Sequence, residues 1–452
     1  MKNHIYLAAL AALLASCGIY NRYERPEVSL DGLYRLENVP DTTNNLARLH
    51  WEEVFTDPLL QNLIRQGVEH NSDLNIARLR VKEAQASLQS ARLAYLPSVQ
   101  LDPQGTLTSN DGSKTQKTYS IGASASWEID IFGKLTNAKR SALAALEASE
   151  AYRQAVQTQL VATIAESYYT LLMLDEQVRI TTETIESWKE YIRSLHALMN
   201  AGEANRSTVS QAEASRVSAE ASLLSLQRQT SEMENSLSAI LGQVSTHIDR
   251  STLADQTFPE HLAVGVPLDL LANRPDVKQA EAELRQSFYT TNQARAAFYP
   301  SITLSGSAGW TNSGGQMITN PGSWLLQAVG SLVQPLFNRG NNIANLKIAK
   351  AQQEEALYSF KQALLDAGND VNNALTQYQT ARERILLGDE QIAHLETTVN
   401  DTKLLMQYGT TNYIEVLTAR QSLLSARLTQ ASNQYDQIEG IISLYHALGG
   451  GL

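Results

Sequence analysis

At 452 residues the chain is long enough for two or three domains of ordinary size. Its formal net charge of −11 argues against nucleic-acid binding, which wants clustered Lys and Arg. Charged residues make up 18% of the chain, below the ~25% of ordinary soluble domains, and the one cysteine has no partner for an internal disulfide.

That cysteine stands near the start. Lys2 supplies a positive charge, Ile5 to Ala15 form an apolar run, and Leu14-Ala15-Ser16-Cys17 follows. The run is too short to cross a bilayer as a helix, which takes ~20 residues. The pattern predicts a lipoprotein signal over 1–17 in which Cys17 becomes the acylated N-terminus. No run of 18 or more apolar residues follows, so a chain that spans a membrane must do so as a closed barrel.

An extended segment is expected over 18–57, and beyond it the chain repeats itself. Ala201-Gly202 with Asn205, Val209 and Leu241-Gly242 matches Tyr408-Gly409 with Asn412, Val416 and Leu448-Gly449, at a constant offset of 207. Ala91-Arg92 with Tyr95-Leu96-Pro97-Ser98 matches Ala294-Arg295 with Phe298-Tyr299-Pro300-Ser301 at an offset of 203. The expected division is a first repeat over 58–242, a linker over 243–267, a second repeat over 268–449 and a tail over 450–452. A repeat of this size is a duplication of a whole half rather than a solenoid unit.

Each half reads helix, hairpin, long helix, helix. The hairpins are expected at 98–132 and 301–337. Tyr119, Ile121, Ala123, Ala125, Trp127 and Ile129 alternate with Ser120, Gly122, Ser124, Ser126 and Glu128. Ile302, Leu304, Ala308 and Trp310 alternate with Ser301, Thr303, Ser305 and Ser307. Period two with aromatic residues near the ends suits an outer-membrane strand, although a half-buried soluble sheet gives the same alternation. The fourth strand, from about Trp324 to Leu336, is more uniformly apolar.

The long helices are expected from about Leu135 to Asn200 and from about Asn342 to Gln407. Leu357, Phe360, Leu364, Ala367, Val371, Ala374, Tyr378, Ala381 and Ile385 step by threes and fours, as do Ile185, Trp188, Ile192, Leu195 and Met199. At 1.5 Å per residue each helix is ~100 Å long. The fold class expected is mainly α with a membrane β-barrel. Four strands cannot close alone, because the smallest membrane barrels have about eight, so the chain must oligomerise to span a membrane; three copies would share twelve strands.

Chemistry is sparse. His4, His50, His70, His196, His247, His261, His394 and His446 are scattered without metal-ligand spacing, and no glycine-rich loop leads to Lys-Ser or Lys-Thr. No catalytic residue, metal site or cofactor is expected, and the chain is read as no enzyme.

The motifs Trp127-Glu128-Ile129-Asp130-Ile131-Phe132-Gly133-Lys134, Asn273-Arg274-Pro275-Asp276-Val277, Ala297-Phe298-Tyr299-Pro300-Ser301 and Ala447-Leu448-Gly449-Gly450-Gly451 occur in this order. With them the chain resembles the TolC/OprM-like outer-membrane factors, in particular their lipoprotein (NodT-like) branch serving multidrug and metal efflux. The resemblance implies a homotrimer in outer-membrane lipid, a 12-stranded barrel and a long periplasmic α-barrel. It implies a passive duct, closed at its periplasmic tip and opened by a periplasmic adaptor that links it to an inner-membrane pump of the RND type. The implied constricting positions are Ile414, Glu415 and Thr418, with Thr418 standing where family members often carry Asp. Gly202, Arg206, Gly409 and Tyr413 fall at the implied adaptor-contacting tip. Three copies of Glu415 would form an acidic ring, which favours cations; residue type alone favours reading Glu415 as a carboxylate on a solvated helix face, and the resemblance is what brings in the ring. A duct for protein secretion and a coiled-coil structural lipoprotein remain alternative readings.

Overall fold

The computed structural model describes residues 20, 22–26, 49–112, 115–258, 274–313, 324–407 and 413–450. In chain order these form helices α1 (Trp51–Val54), α2 (Pro58–His70) and α3 (Ser72–Leu93), and then strands β1 (Ser98–Thr108) and β2 (Gln116–Ile129). Helices α4 (Lys134–Asn200) and α5 (Arg206–Ile240) follow, with a 3-10 turn at Leu253–Asp255. The second half comprises α6 (Pro275–Ala296), β3 (Ser301–Ser313), β4 (Trp324–Val333), α7 (Asn341–Gln407) and α8 (Tyr413–Ala447). The expected extended segment thus includes one helical turn, α1, which buries Trp51 and Val54. The fourth strand stops at Val333, short of Leu336, because the next residues include Pro335, which has no N–H for a ladder.

Two compact units cut across the repeats, each drawing on both. One comprises residues 1–29, 79–151 and 278–362; the other comprises 30–78, 152–277 and 363–452.

The first unit holds the sheet, an antiparallel meander of order β1-β2-β3-β4. Its register sorts the side chains by face. Asp102 pairs with Gly122 and Gly122 with Gly309; Gln104 pairs with Ser120 and Ser120 with Thr311; Gln100 pairs with Ser124 and Ser124 with Ser307. Partners across a ladder share a face, so this face carries Gln, Ser, Thr, Asp and Gly. On the other face, Leu101 pairs with Ala123, Ala123 with Ala308 and Ala308 with Leu326, while Trp127 pairs with Leu304. Val99, Leu101, Leu107, Leu326 and Leu332 on that face are exposed. Strand β4 breaks the alternation, because Val329 and Val333 pair with Ser305 and Ser301 on the polar face.

Aromatic side chains gather where the strands meet the helices. Trp127 Nε1 donates to the Tyr95 carbonyl at 2.9 Å, and Phe132 stacks on Tyr299 with centroids 5.1 Å apart. The N-terminal segment is pinned here, since the Tyr20 hydroxyl donates to the Phe132 carbonyl at 2.7 Å. Farther along, Tyr23 meets Phe288 edge-on, and Arg25 pairs with Glu281 and lies over the Phe360 ring.

In the second unit the helix seams form the core. Leu364, Ala367, Val371, Ala374 and Ala381 on α7 are buried, as are Ile185, Trp188, Ile192 and Leu195 on α4. Each short helix after a long one ends on a Leu-Gly pair. Gly242 and Gly449 have positive φ, where a side chain is disfavoured, and their amides donate to the Ala239 and His446 carbonyls. The repeat extends to the contacts below these ends. The Asn71 amide donates to the Ile240 carbonyl, and Arg274, at the corresponding place, donates to the Ala447 carbonyl at 2.9 Å. Arg274 is only 3% exposed and also holds Asp276 and Asp370, so one buried guanidinium joins α6, α7 and the end of α8.

Asp57 does similar work at the start of α2. Its carboxylate caps the helix by accepting from the Leu59 amide, with Pro58 in the first turn. It also accepts from the Tyr168 and Ser251 hydroxyls, both at 2.5 Å. Burial opposes its charge, but the hydrogen bonds from Ser251, Tyr168, Leu59 and Gln256 outweigh that and hold its pKa below the usual value. The lowered pKa means that the folded state favours the ionised form. Its contribution is therefore complete above the unfolded-state pKa of ~3.9 and is lost as pH falls through the folded value. Asp57→Asn is expected to flatten the acid limb of stability. Thermal unfolding followed from about pH 6 to about pH 3 should show a shallower fall for the variant than for the parent. Superimposable acid limbs would contradict this role.

Candidate functional site

Of the residues that the sequence singles out, Gly202, Arg206, Tyr413, Ile414, Glu415 and Thr418 lie at the end of α4 and the starts of α5 and α8, inside the second unit. At the end of α4 the chain reverses through Gly202, whose φ of +83° suits glycine and whose amide donates to the Met199 carbonyl. The amides of Glu203 and Ala204 both donate to the Leu198 carbonyl, satisfying an acceptor that the helix end leaves open. Asn205 then caps α5 by accepting from the Thr208 amide at 2.9 Å. Arg206, the first residue of α5, is exposed.

Tyr413, the first residue of α8, stands at the equivalent place in the second repeat and behaves differently. Its hydroxyl donates to the Glu203 carbonyl at 2.8 Å, tying the start of α8 to the α4–α5 turn. Its ring packs against a cluster of Trp188, Tyr191, Ile192, Leu195, Val209, Ala212, Val416 and Leu417. Two residues at the same offset thus carry different jobs, one exposed and one joining the halves.

The burial pattern along α8 divides its first two turns into two faces. Val416, Leu417 and Ala419 are buried, whereas Ile414, Glu415 and Thr418 are exposed. Spacings of three and four put the last three on one strip of the helix. Ile414 is 69% exposed, a large apolar side chain on an otherwise polar strip. The Thr418 hydroxyl donates back to the Ile414 carbonyl, four residues earlier, so it is partly occupied within its own helix. Gly409 and Cys17 lie outside the described residues.

One residue here was not singled out by the sequence. Arg420 lies over the Tyr191 ring at 4.8 Å and over the Trp188 ring at 5.7 Å, and it donates to both the hydroxyl and the carbonyl of Ser187. Burial lowers its pKa, with Tyr191 and Glu190 acting in the opposite sense. A cation held against aromatic faces and Ser187 ties α8 to α4 itself, about two helical turns beyond Tyr413. The available signal was Trp188 and Tyr191 at a spacing of three, but nothing in the sequence says that an Arg far along the chain fills their groove.

Among the described residues no three His, Cys, Asp or Glu side chains converge on a metal-sized site. No helix among them is long and apolar enough to cross a membrane. The site is a hydrogen-bonded helix junction with an exposed strip bearing a carboxylate. It presents a carboxylate and a large apolar side chain on one exposed strip.

Residues 63–243 and 266–450 match the family model described as outer membrane efflux protein. The chain is 28% identical over 447 residues to the cation efflux system protein CusC of Escherichia coli K12, with 98% of each chain covered. It is 30% identical over 415 residues to the pyoverdine export outer membrane protein OpmQ of Pseudomonas putida, covering 89% of this chain and 88% of that one. The MtrE outer membrane channel of Neisseria gonorrhoeae, solved in its open state, superposes with a TM-score of 0.86 at 28% identity, covering 96% of this chain and 98% of that one.

The Tyr413–Glu203 bond has a direct test. Tyr413→Phe keeps the ring in its cluster and removes only the donor, a change of about 0.5–1.5 kcal/mol for one hydrogen bond. Hydrogen exchange of the backbone amides in the α4–α5 turn is expected to accelerate by roughly two- to tenfold. Unchanged exchange would show that the hydroxyl does not hold the turn.

Proposed function

The chain belongs to the outer membrane efflux protein family, an efflux duct of the outer membrane that works with partner proteins, and from that premise we propose that three copies assemble into one passive exit channel. The observation that carries this reading is the sheet. Its strands of 11, 14, 13 and 10 residues match or exceed the ~9–11 residues that a tilted strand needs to cross a bilayer. One face is apolar and exposed, the other is lined with hydroxyls and amides, and β1 and β4 each pair on one side only. Edges left open in hydrocarbon are untenable, since each unpaired backbone group there costs several kcal/mol. Three copies, with each β4 meeting the next β1, remove every edge and give twelve strands.

In this reading the polar face lines the lumen. Cys17 carries the acyl anchor. The helix junction is the periplasmic end, where Gly202, Arg206, Gly409 and Tyr413 meet a periplasmic adaptor and an RND-type pump lies beyond it in the inner membrane. The exposed strip of Ile414, Glu415 and Thr418 faces the threefold axis and forms the constriction. Ile414 supplies an apolar narrowing and Glu415 a ring of three carboxylates. With Thr418 in place of a second acid, each copy contributes one carboxylate from this strip. The cargo is set by the pump, in keeping with relatives of similar identity that are named for cation efflux and for pyoverdine export.

Rings of carboxylate favour cations and repel anions. In a planar bilayer with a salt gradient, Glu415→Ala is expected to move the reversal potential toward zero while the conductance persists. A reversal potential identical to that of the parent would remove Glu415 from the constriction.

A further inference from the structure

The polar face of the sheet is built almost without charge. In the four strands only Asp102, Lys117 and Glu128 are charged at neutral pH. Lys117 pairs with Leu107, on the apolar face. Glu128 stands at the helical end of β2, and the Lys134 ammonium donates to its carboxylate at 2.9 Å. Asp102 has no such cation among the described residues. Its exposed carboxylate accepts one bond, from the Ser124 hydroxyl at 3.2 Å.

A hollow of about 300 Å³ adjoins Asp102 on this face, with Gln104, Ser120 and Ser124 supplying further oxygens. Its floor is the bare backbone of Gly122 and Gly309, which pair across the ladder. A Cβ on Gly309 would lie 2.8 Å from the Gly122 Cα, so the floor has no room for a side chain. Folding does not ask for a charge here, because a neutral Asn or Ser would accept the same hydrogen bond. An unpaired carboxylate on a membrane strand is tolerable only where water reaches it. Asp102 follows Ser98, where β1 leaves the aromatic layer, by four residues, ~13 Å along the strand, and so falls within the apolar band of ~25 Å.

From this placement we infer that Asp102 is a second charge-selecting residue of the channel, three copies of it ringing the lumen inside the barrel and favouring small hydrated cations. The inference rests on the trimeric-channel reading, with the polar face turned inward. Twelve strands ~4.8 Å apart and tilted by ~40° make a ring roughly 24 Å across at the backbone, which inward side chains narrow to roughly 15 Å. A solute on the axis then passes ~8 Å from all three carboxylates. That is well inside the screening length of ~30 Å at 0.01 M salt and well outside the ~3 Å at 1 M. Three unit charges at that distance in water enrich cations on the order of fivefold at the lower salt and hardly at all at the higher. The hydroxyls and amide around each carboxylate let a cation keep its water shell, so the ring sorts by charge and leaves the chemical identity of the cargo to other parts of the pump.

The test is the reversal potential of the full-length protein in a planar bilayer under a threefold KCl gradient, set once near ~0.01 M and once near ~1 M. Asp102→Asn is expected to lower the cation-to-anion permeability ratio by roughly fivefold at the lower salt and to leave it unchanged at the higher. Asp102→Glu should retain the parent's ratio, and Asp102→Lys should turn the low-salt preference toward anions. A structural lesion would alter conductance at both salt levels, whereas an electrostatic one vanishes at the higher. A low-salt ratio that Asp102→Asn and Asp102→Lys leave at the parent's value would overturn the inference, as would a change of equal size at both salt levels. Assembly is read separately from the native mass in mild detergent. A monomeric parent would overturn the channel reading and this inference with it, while a trimer indifferent to Asp102 would overturn this inference alone.

Discussion

The constraint on which the rest of the molecule depends is a sheet with an apolar face and two open edges. Leu101, Ala123, Ala308 and Leu326 run across one face while Gln100, Ser124, Ser307 and Gln327 run across the other. Such a sheet cannot be stable alone in water, because its apolar face has no cover, nor alone in lipid, because β1 and β4 present unpaired backbone groups. Closure by further copies satisfies both requirements at once. Everything else serves that closure or connects to it. Tyr95, Trp127, Phe132 and Tyr299 form an aromatic layer where the strands meet the helices, and 67-residue helices leave from both hairpins.

The second organising principle is duplication with divergence. The paired ends of α5 and α8 are built alike, each on a Leu-Gly turn with a side chain from the next layer capping a free carbonyl. Asn71 performs this in the first half and Arg274 in the second. The larger guanidinium reaches Asp276 and Asp370 as well, so the second half is cross-linked where the first is merely capped. The two repeats also diverge where α4 turns into α5 and where α8 begins. Arg206 is exposed while Tyr413 bonds to Glu203, and only the second repeat brings an Arg, Arg420, into the aromatic groove of Trp188 and Tyr191. An asymmetric junction of this kind can loosen on one side while the other stays packed.

Local periodicity was legible in the long helices and in β2 and β3. The long helices begin and end within a residue of the expected positions, and the faces of β2 and β3 follow from alternation alone, because period 3.6 and period 2 are read from adjacent residues. The fourth strand was less legible. Its valines on the polar face hide the alternation, and Pro335 ends it early. The tip assignment rests on family resemblance rather than on physics, since a Glu on a helix says nothing of which way it faces; the burial of Val416 and Leu417 shows only that Glu415 lies on the exposed side of α8. Asp57, Arg274 and Arg420 were beyond reach as interacting groups. Their long-range side-chain partners lie between 96 and 233 positions away, and composition carries no record of such pairings.

The measurement that bears most directly on the account is the native mass of the membrane-extracted protein. Mild detergent should release a species with the mass of three chains plus acyl groups, and it should resist dilution, because separating the copies would expose β1 and β4 in the apolar layer. A monomer, or a protein that leaves the membrane fraction without detergent, would contradict the shared barrel and with it the exit channel.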